Sequence, residues 1–173
     1  MALDPKDSSA PGARAAEAFT RAYNVLGYVG GLILAVMAGA AFLQVVLRFL
    51  GRVGIDGLEE VPRYLFVWLV MVGGAAAMQR GEHTALDYFV NALGPRSRAL
   101  VLVLTNAVGI ALFLYLIKLS FVLVPNAQLQ TSAGLGLPLG YVFAAVPIGS
   151  ALIILPMLRN LYRAARQLWQ KPS

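Results

Sequence analysis

The stretch Leu58–Asp87 reads LEEVPRYLFVWLVMVGGAAAMQRGEHTALD, an apolar run with ionic residues at both ends. About sixteen residues from Tyr64 to Gln79 carry no charge, which corresponds to roughly 24 Å of α-helix. The hydrocarbon core of a bilayer is about 30 Å thick. Residues 58–80 are therefore predicted to cross a membrane as a helix. The charged ends then lie at the interface, where pairing with each other or with another subunit lowers their cost.

The whole chain has the composition of an integral membrane protein. It has 173 residues, of which 59% are hydrophobic, and its mean hydropathy is +0.72. No segment has the composition of a soluble catalytic domain, so an enzyme is not predicted. The chain has no cysteine and one histidine, His83, which excludes disulfides, thiolate metal sites and multi-histidine sites. We expect this chain to bind no cofactor.

The predicted fold is all-α: four transmembrane helices plus a short interfacial amphipathic helix between spans 2 and 3. Pro125 is expected to end the third span, and Pro147 to kink the fourth. Tails are predicted at both ends, the first of them disordered, around a single membrane domain of residues 13–169. The predicted bounds are 1–12 and 170–173 for the tails, 22–47, 58–80, 99–124 and 139–159 for the spans, and 85–93 for the interfacial helix.

The distribution of positive charge predicts the orientation. With four spans, both termini and the connector between spans 2 and 3 share one side, which carries about ten lysines and arginines. The other side carries about four. We therefore expect both termini to be cytoplasmic. The formal net charge of +6 reflects this topology better than it reflects binding of nucleic acid.

Small residues recur on two of the spans. In the first span they are spaced every four residues and form one smooth stripe, which in a membrane lets another helix approach closely. That helix belongs either to this chain or to a different protein. The predicted packing residues are Gly27, Gly31, Ala35 and Gly39, together with Gly73 and Gly74 in the second span.

Ionic residues cluster at both ends of the second span, and they are the candidate partner interface. Glu59 and Arg63 have the spacing of a helical i,i+4 pair, and Asp56 with Glu59 resembles a capping box. The alternatives are ion pairs within the chain or lipid contacts, and for Trp68 ordinary packing. A metal-binding role for His83 is disfavoured. The candidates are Arg48, Glu59, Glu60, Arg63 and Trp68 on one side, and Arg80, Glu82 and His83 on the other.

No span carries an ionisable residue near its middle, where ion-coupled transporters usually build their sites. This argues against transport by the chain alone and favours a scaffold within a larger complex. Two alternatives stay open. One is a stand-alone four-helix transporter or channel with a polar path through Gln44, Asn106, Gln128 and Gln130. The other is a membrane assembly factor without a transport role.

An ordered set of residues over roughly 44–161 resembles the small membrane subunit of tripartite ATP-independent periplasmic (TRAP) transporters. Pro62 departs from the usual pattern, in which a helix-compatible residue such as alanine is common. The residues that carry the resemblance are Arg48, Glu59-Glu60, Arg63-Tyr64-Leu65, Trp68, Gly73-Gly74-Ala75-Ala76, Arg80-Gly81-Glu82-His83, Asp87, Thr131, Leu135-Gly136-Leu137-Pro138, Tyr141 and Pro147-Ile148-Gly149.

The resemblance implies a role and a set of partners. Such a subunit pairs with a large multispan permease in the bacterial inner membrane, and the large subunit holds the substrate and sodium sites and moves by an elevator-like mechanism. A periplasmic binding protein delivers an organic acid, such as a dicarboxylate or sialic acid. The complex uses the sodium gradient, and the small subunit enlarges the immobile scaffold and contacts membrane lipids.

Overall fold

The computed structural model describes residues 11–51, 57–80 and 95–169. It confirms the all-α prediction: in these ranges the one β feature is an isolated antiparallel bridge between Thr131 and Pro138. The helices are α1 (Pro11–Phe49), α2 (Glu60–Arg80), α3 (Pro95–Gln128), α4 (Gly140–Phe143) and α5 (Ala145–Trp169). The predicted interfacial helix at 85–93, residues 1–10 of the first tail and the tail at 170–173 lie outside the described residues.

Four helical segments are long and apolar enough to cross a membrane, as the hydropathy predicts. They are Ala16–Phe49, Glu60–Arg80, Ser97–Gln128 and Gly140–Arg166. Helix α1 is longer than its predicted span, since its 39 residues correspond to roughly 58 Å, about twice the thickness of the hydrocarbon core. Its first turns, which carry Arg14 and Arg21, therefore extend beyond the apolar zone.

The two prolines have different effects. The prediction that Pro125 ends the third span is wrong, because α3 continues through it to Gln128. A proline in a last turn removes only one helical hydrogen bond, so the helix can continue past it. The helix then closes with tighter bonds from Leu129 N–H to the Asn126 carbonyl and from Gln130 N–H to the Ala127 carbonyl. The prediction that Pro147 kinks the fourth span agrees with a break between α4 and α5 at Ala144. Proline has no N–H to donate to the carbonyl four residues earlier, at residue 143, and the break follows that residue directly.

The four spans form an open row in the order α1, α2, α5, α3. Among the described residues, α1 approaches α2, α2 approaches α5, and α5 approaches α3, whereas α1 and α3 do not meet. The outer helices are the exposed ones: 6% of the most apolar stretch is buried in α1 and in α3, against 44% in the stretch that contains α5. The row therefore has two long edges that the described part of the chain does not cover.

The row has two ends. We call the end at which α1 begins and α5 finishes the terminal end, and the end with the turn of residues 129–139 the hairpin end. The main hydrophobic cluster lies nearer the terminal end, where α1, α2 and α5 converge. It consists of Tyr23, Ala75, Met78, Ile153 and Met157, with Phe19, Leu26, Ile110, Phe113 and Leu152 packed around it.

Candidate interaction surfaces at the two ends of the helix row

Glu60, the first residue of α2, holds the hairpin end together. Its Oε1 accepts a hydrogen bond from the Gly134 N–H at 3.1 Å, and its Oε2 accepts one from the Leu135 N–H at 3.2 Å. The Ser132 and Tyr64 hydroxyls also interact with the carboxylate. A carboxylate that accepts successive backbone N–H groups makes charge-assisted hydrogen bonds, which are stronger than neutral ones. One side chain of α2 thus fastens the turn that joins α3 to α4.

The fastened turn is a short hairpin with its own hydrogen bonds. The Ser132 N–H donates to the Leu137 carbonyl at 2.9 Å, and the Leu139 N–H donates to the Gln130 carbonyl at 2.9 Å. The Ser132 Oγ also accepts from the Leu137 N–H at 3.2 Å. Gly136 adopts φ +64°, a left-handed conformation that a glycine allows at no steric cost. The hairpin therefore presents Gly134 and Leu135 to Glu60 in a defined conformation.

Gly57 brings the end of the first connector against the same hairpin. Its φ is +91°, and a Cβ atom there would lie 2.8 Å from the Gly134 carbonyl carbon and 2.9 Å from the carbonyl oxygen. The positive φ and the lack of space for a Cβ atom both require glycine at this position. The Glu60 N–H donates to the Gly57 carbonyl at 3.0 Å, so a tight turn leads directly into α2. Gly57 and Glu60 together fix the hairpin to the start of α2.

The other predicted residues of this end are placed less tightly. Arg48, in the last turn of α1, is exposed, as are Glu59 and Arg63. The expected Glu59–Arg63 pair is absent among the described contacts, because Glu59 lies in the turn before α2 and not on the helix. Trp68 is half-buried within α2, and Asp56, the expected cap, lies outside the described residues.

At the terminal end, Arg80 lies across α1. A Cβ atom on Gly27 would lie 2.8 Å from a terminal nitrogen of the Arg80 guanidinium. Beside it, the Gln79 Nε2 donates a hydrogen bond to the Thr20 Oγ1 at 3.4 Å. The last turn of α2 is therefore joined to α1 by polar contacts. Glu82 and His83, which were also predicted here, lie outside the described residues.

A second connection at this end was not predicted from the sequence. The Tyr23 hydroxyl donates to the Leu152 carbonyl at 2.6 Å and joins α1 to α5 across the end of the row. In a regular helix that carbonyl would accept from the N–H of residue 156, but residue 156 is a proline inside α5. The hydroxyl replaces the missing donor. A tyrosine near one span and a proline within another are the only sequence signals for this contact.

The small-residue stripe is divided between two environments. Gly27 packs against α2, and so does its neighbour Gly30, whose added Cβ would lie 4.0 Å from the Gly73 Cα atom. Among the described residues, none lies within 4 Å of an added Cβ on Gly31 or Gly39, and Ala35 is exposed. Only part of the predicted packing stripe thus meets another helix of this chain. Gly74, in contrast, faces α5, because an added Cβ there would lie 3.6 Å from the Ile153 Cδ1 atom.

Closer helix contacts occur at glycines that the sequence analysis did not select. A Cβ on Gly109 of α3 would collide with the Met157 side chain, and one on Gly149 of α5 would collide with Met71. These two glycines let α5 pack closely between α3 and α2. Their sequence signal is weak, because neither belongs to a stripe of small residues at regular spacing.

The polar residues of the rival channel hypothesis do not line a path. Gln44 is on α1 and Asn106 is on α3, the two helices at opposite edges of the row. The Asn106 Nδ2 donates to the Leu102 carbonyl of its own helix at 2.7 Å. Gln128 packs over Gly140 at the hairpin end, next to Gln130. Within the described ranges, no three histidine, aspartate or glutamate side chains gather closely enough to hold a metal ion.

Comparison with known proteins explains this architecture. Residues 37–167 match the family model described as "Tripartite ATP-independent periplasmic transporters, DctQ component". The chain belongs to the DctQ family of TRAP transporter small permeases. The match covers α2, α3, α4, most of α5 and the second part of α1. Glu60, Gly57 and the hairpin thus lie inside the family region, whereas Tyr23 and Phe19 lie before it.

Two relatives support the assignment to the DctQ family. A putative TRAP transporter small permease protein of Haemophilus influenzae is 32% identical over 130 residues, which are 75% of this chain and 80% of the relative. The C4-dicarboxylate TRAP transporter small permease protein DctQ of Rhodobacter capsulatus is 32% identical over 111 residues, or 62% of this chain. The aligned region covers 48% of the Rhodobacter protein.

Proposed function

We propose that this TRAP small permease braces a large multispan permease in sodium-coupled, binding-protein-dependent uptake of an organic acid. In this role it holds neither the substrate nor sodium itself. It enlarges the immobile part of the complex, and the large subunit moves the substrate. The proposal places the chain in the bacterial inner membrane with a periplasmic binding protein as the second partner.

The open row of helices is the observation that carries the proposal. A four-helix transporter that worked alone would enclose its path, but here α1 and α3 lie at opposite edges, and the other described residues leave most of their apolar surface uncovered. Apolar surface of this kind must face lipid or another membrane protein. The spans also carry no ionisable residue near their middles. An open row of helices can support another subunit, but it does not enclose a transport path.

The relatives support the proposed substrate class. The Rhodobacter protein is named for a C4-dicarboxylate, which is an organic acid. We extend only that chemical class, a small carboxylate, to the complex that contains this chain. The Haemophilus protein is named as a small permease without a substrate.

Reconstitution tests the scaffold role. The chain is co-expressed with the large permease from the neighbouring coding region, extracted in mild detergent and purified by a tag on this chain alone. We expect the two subunits to co-purify, and we expect sodium-dependent uptake in proteoliposomes only when both subunits and the binding protein are present. Full uptake by this chain alone would overturn the proposal. Failure of the large permease to co-purify would favour the assembly-factor alternative.

The proposed orientation has a separate test. We propose that the hairpin end faces the periplasm and the terminal end faces the cytoplasm, because by sequence about ten of the fourteen cations belong to the two terminal segments and the connector between spans 2 and 3. The chain has no cysteine, so single-cysteine variants give clean labelling. We expect a membrane-impermeant maleimide to label Ala133→Cys in intact cells, and Arg14→Cys only after the inner membrane is opened. The reverse pattern would contradict this orientation.

A further inference from the structure

The charges are distributed very unevenly between the two ends of the row. By sequence, the segments of the terminal side carry ten lysines and arginines and five acidic residues. The segments of the hairpin side carry four lysines and arginines and three acidic residues. By sequence, the segments on the terminal side therefore have an excess of five positive charges. A cluster of cations beside a membrane attracts anionic lipids, by roughly a factor of five in affinity for each cation near the surface.

Three of these cations form one patch on the last turns of α5. Arg159, Arg163 and Arg166 are spaced by four and three residues and lie on neighbouring positions of one helix face. Arg163 and Arg166 are exposed. Among the described residues, no carboxylate forms a salt bridge with any of the three. We call these residues the arginine patch.

Arg159 is held in place by aromatic residues of α1. Its guanidinium carbon lies 5.5 Å from the centroid of the Phe19 ring, which is a cation–π distance. Phe19 in turn packs on Tyr23 with a centroid separation of 4.6 Å. The guanidinium therefore has less conformational freedom to lose when it binds an anion. The stacking leaves the N–H groups of the guanidinium plane available for oxygen atoms.

An apolar track leads from the patch along α5. Ile148 and Leu155 are 48% and 50% exposed. They share one side of the helix with Arg159 and Arg166, because Leu155 follows Ile148 by seven residues, Arg159 follows Leu155 by four, and Arg166 follows Arg159 by seven. Ile153, Ile154 and Met157 lie on the buried side. Tyr162, 67% exposed, lies within the patch between Arg159 and Arg163, and an exposed tyrosine is typical of headgroup level. The apolar track therefore leads to a group of cations with an aromatic side chain among them, which matches the acyl chain and the phosphate of a phospholipid.

We propose that the arginine patch and the Ile148–Leu155 track bind one anionic phospholipid, with its phosphate on the guanidinium groups and an acyl chain along the track. Guanidinium groups suit this ligand because their N–H fork matches the geometry of phosphate oxygens. The bound lipid neutralises a cluster of like charges at the junction of α1 and α5. The inference goes beyond the scaffold role and does not depend on which organic acid the complex carries.

Native mass spectrometry of the full chain tests the proposal. The purified protein is exchanged into detergent with equal amounts of phosphatidylglycerol and phosphatidylcholine, and the retained lipid is counted. We expect the wild type to retain phosphatidylglycerol in preference. The double variant R163Q/R166Q should lose roughly 25-fold in phosphatidylglycerol affinity, since two cations are removed. The matched control is Arg48→Gln at the hairpin end, which we expect to change that affinity less than twofold.

Three further measurements keep the proposal falsifiable. R163K/R166K keeps both charges but loses the guanidinium fork, and it should restore most of the binding; a lysine variant that binds no more phosphatidylglycerol than the glutamine variant would overturn the charge-based proposal. Inorganic phosphate at millimolar concentration should not displace the lipid; if it does, the patch binds free phosphate and the lipid proposal is wrong. Loss of the lipid on addition of the large permease would show that the face is a protein interface, which also overturns it.

Discussion

The hydrogen bond from Tyr23 to the Leu152 carbonyl gives a prediction with a magnitude. Tyr23 is 4% exposed, and the Leu152 carbonyl has no helical donor because residue 156 is a proline. Tyr23→Phe removes the hydroxyl without opening a large cavity. Leaving a buried acceptor unpaired costs about 1–3 kcal/mol in soluble proteins, whereas hydrogen bonds within membrane proteins contribute about 0.6 kcal/mol on average and about 1.7 at most. We expect a loss of about 1–2 kcal/mol, since this acceptor has no helical alternative.

The second part of the experiment replaces Pro156, whose missing N–H leaves the Leu152 carbonyl without a helical donor. In Pro156→Ala, the N–H of residue 156 can donate to the Leu152 carbonyl as in any regular helix. Adding Tyr23→Phe should then cost almost nothing, so a double-mutant cycle should give a coupling free energy of about 1–2 kcal/mol. The assay is reversible unfolding in mixed micelles of detergent and SDS, followed by circular dichroism.

A control on the same helix excludes a general effect of losing a hydroxyl. Tyr28 is 79% exposed, and its conversion to phenylalanine should change the free energy of unfolding by less than about 0.5 kcal/mol. Two results would refute the reasoning: a Tyr23→Phe variant as stable as the wild type, or an equal loss in the presence and absence of Pro156.

Three further predictions concern the hairpin end and the helix contacts. Glu60→Gln should speed hydrogen exchange at the Gly134 and Leu135 amides several-fold and impair uptake by the complex, while the exposed Glu59→Gln should do neither; unchanged exchange would show that the carboxylate does not hold the hairpin. Gly57→Ala should cost more than Gly51→Ala by about 1–2 kcal/mol, because both have positive φ but only Gly57 faces the Gly134 backbone, and equal costs in the SDS assay would contradict this. Gly149→Ala should lower the melting temperature, because the new methyl group collides with Met71. Gly31→Ala has space for the methyl group among the described residues and should gain up to about 1 kcal/mol of helix stability. A melting-temperature scan of the two variants distinguishes these outcomes.

The spans could be predicted from the sequence because a bilayer imposes a simple rule. Every backbone polar group within the hydrocarbon must be bonded internally, so an apolar run of sufficient length becomes a helix. Residues 58–80 were predicted for the second span, and α2 covers Glu60–Arg80. The error at Pro125 has a local cause, since a proline in a last turn costs one hydrogen bond and does not dictate the final residue of the helix.

The candidate interaction surfaces could be predicted only in part. Glu60 was selected because it is a charge near an apolar run, but its hydrogen-bond partners, Gly134 and Leu135, lie 74 and 75 residues further along the chain. The stripe from Gly27 to Gly39 was visible, but nothing in its spacing distinguishes Gly27, which lies against Arg80, from Gly31, which faces no other described residue within 4 Å of an added Cβ. Local periodicity places a residue on a helix face and does not name the neighbour.

By itself, the sequence determined that the chain crosses a membrane four times and that its spans carry no ionisable residue near their middles, because hydropathy and charge act locally along the chain. Its ordered pattern of residues also pointed to the TRAP small permease family. Only the tertiary structure decided that the helices stand in the open order α1, α2, α5, α3 and that Glu60 binds the hairpin. It also decided that the Tyr23 hydroxyl donates to the Leu152 carbonyl, which Pro156 cannot bond. These features depend on contacts between residues far apart in the chain, and such contacts follow from how the helices pack and not from the properties of any one helix.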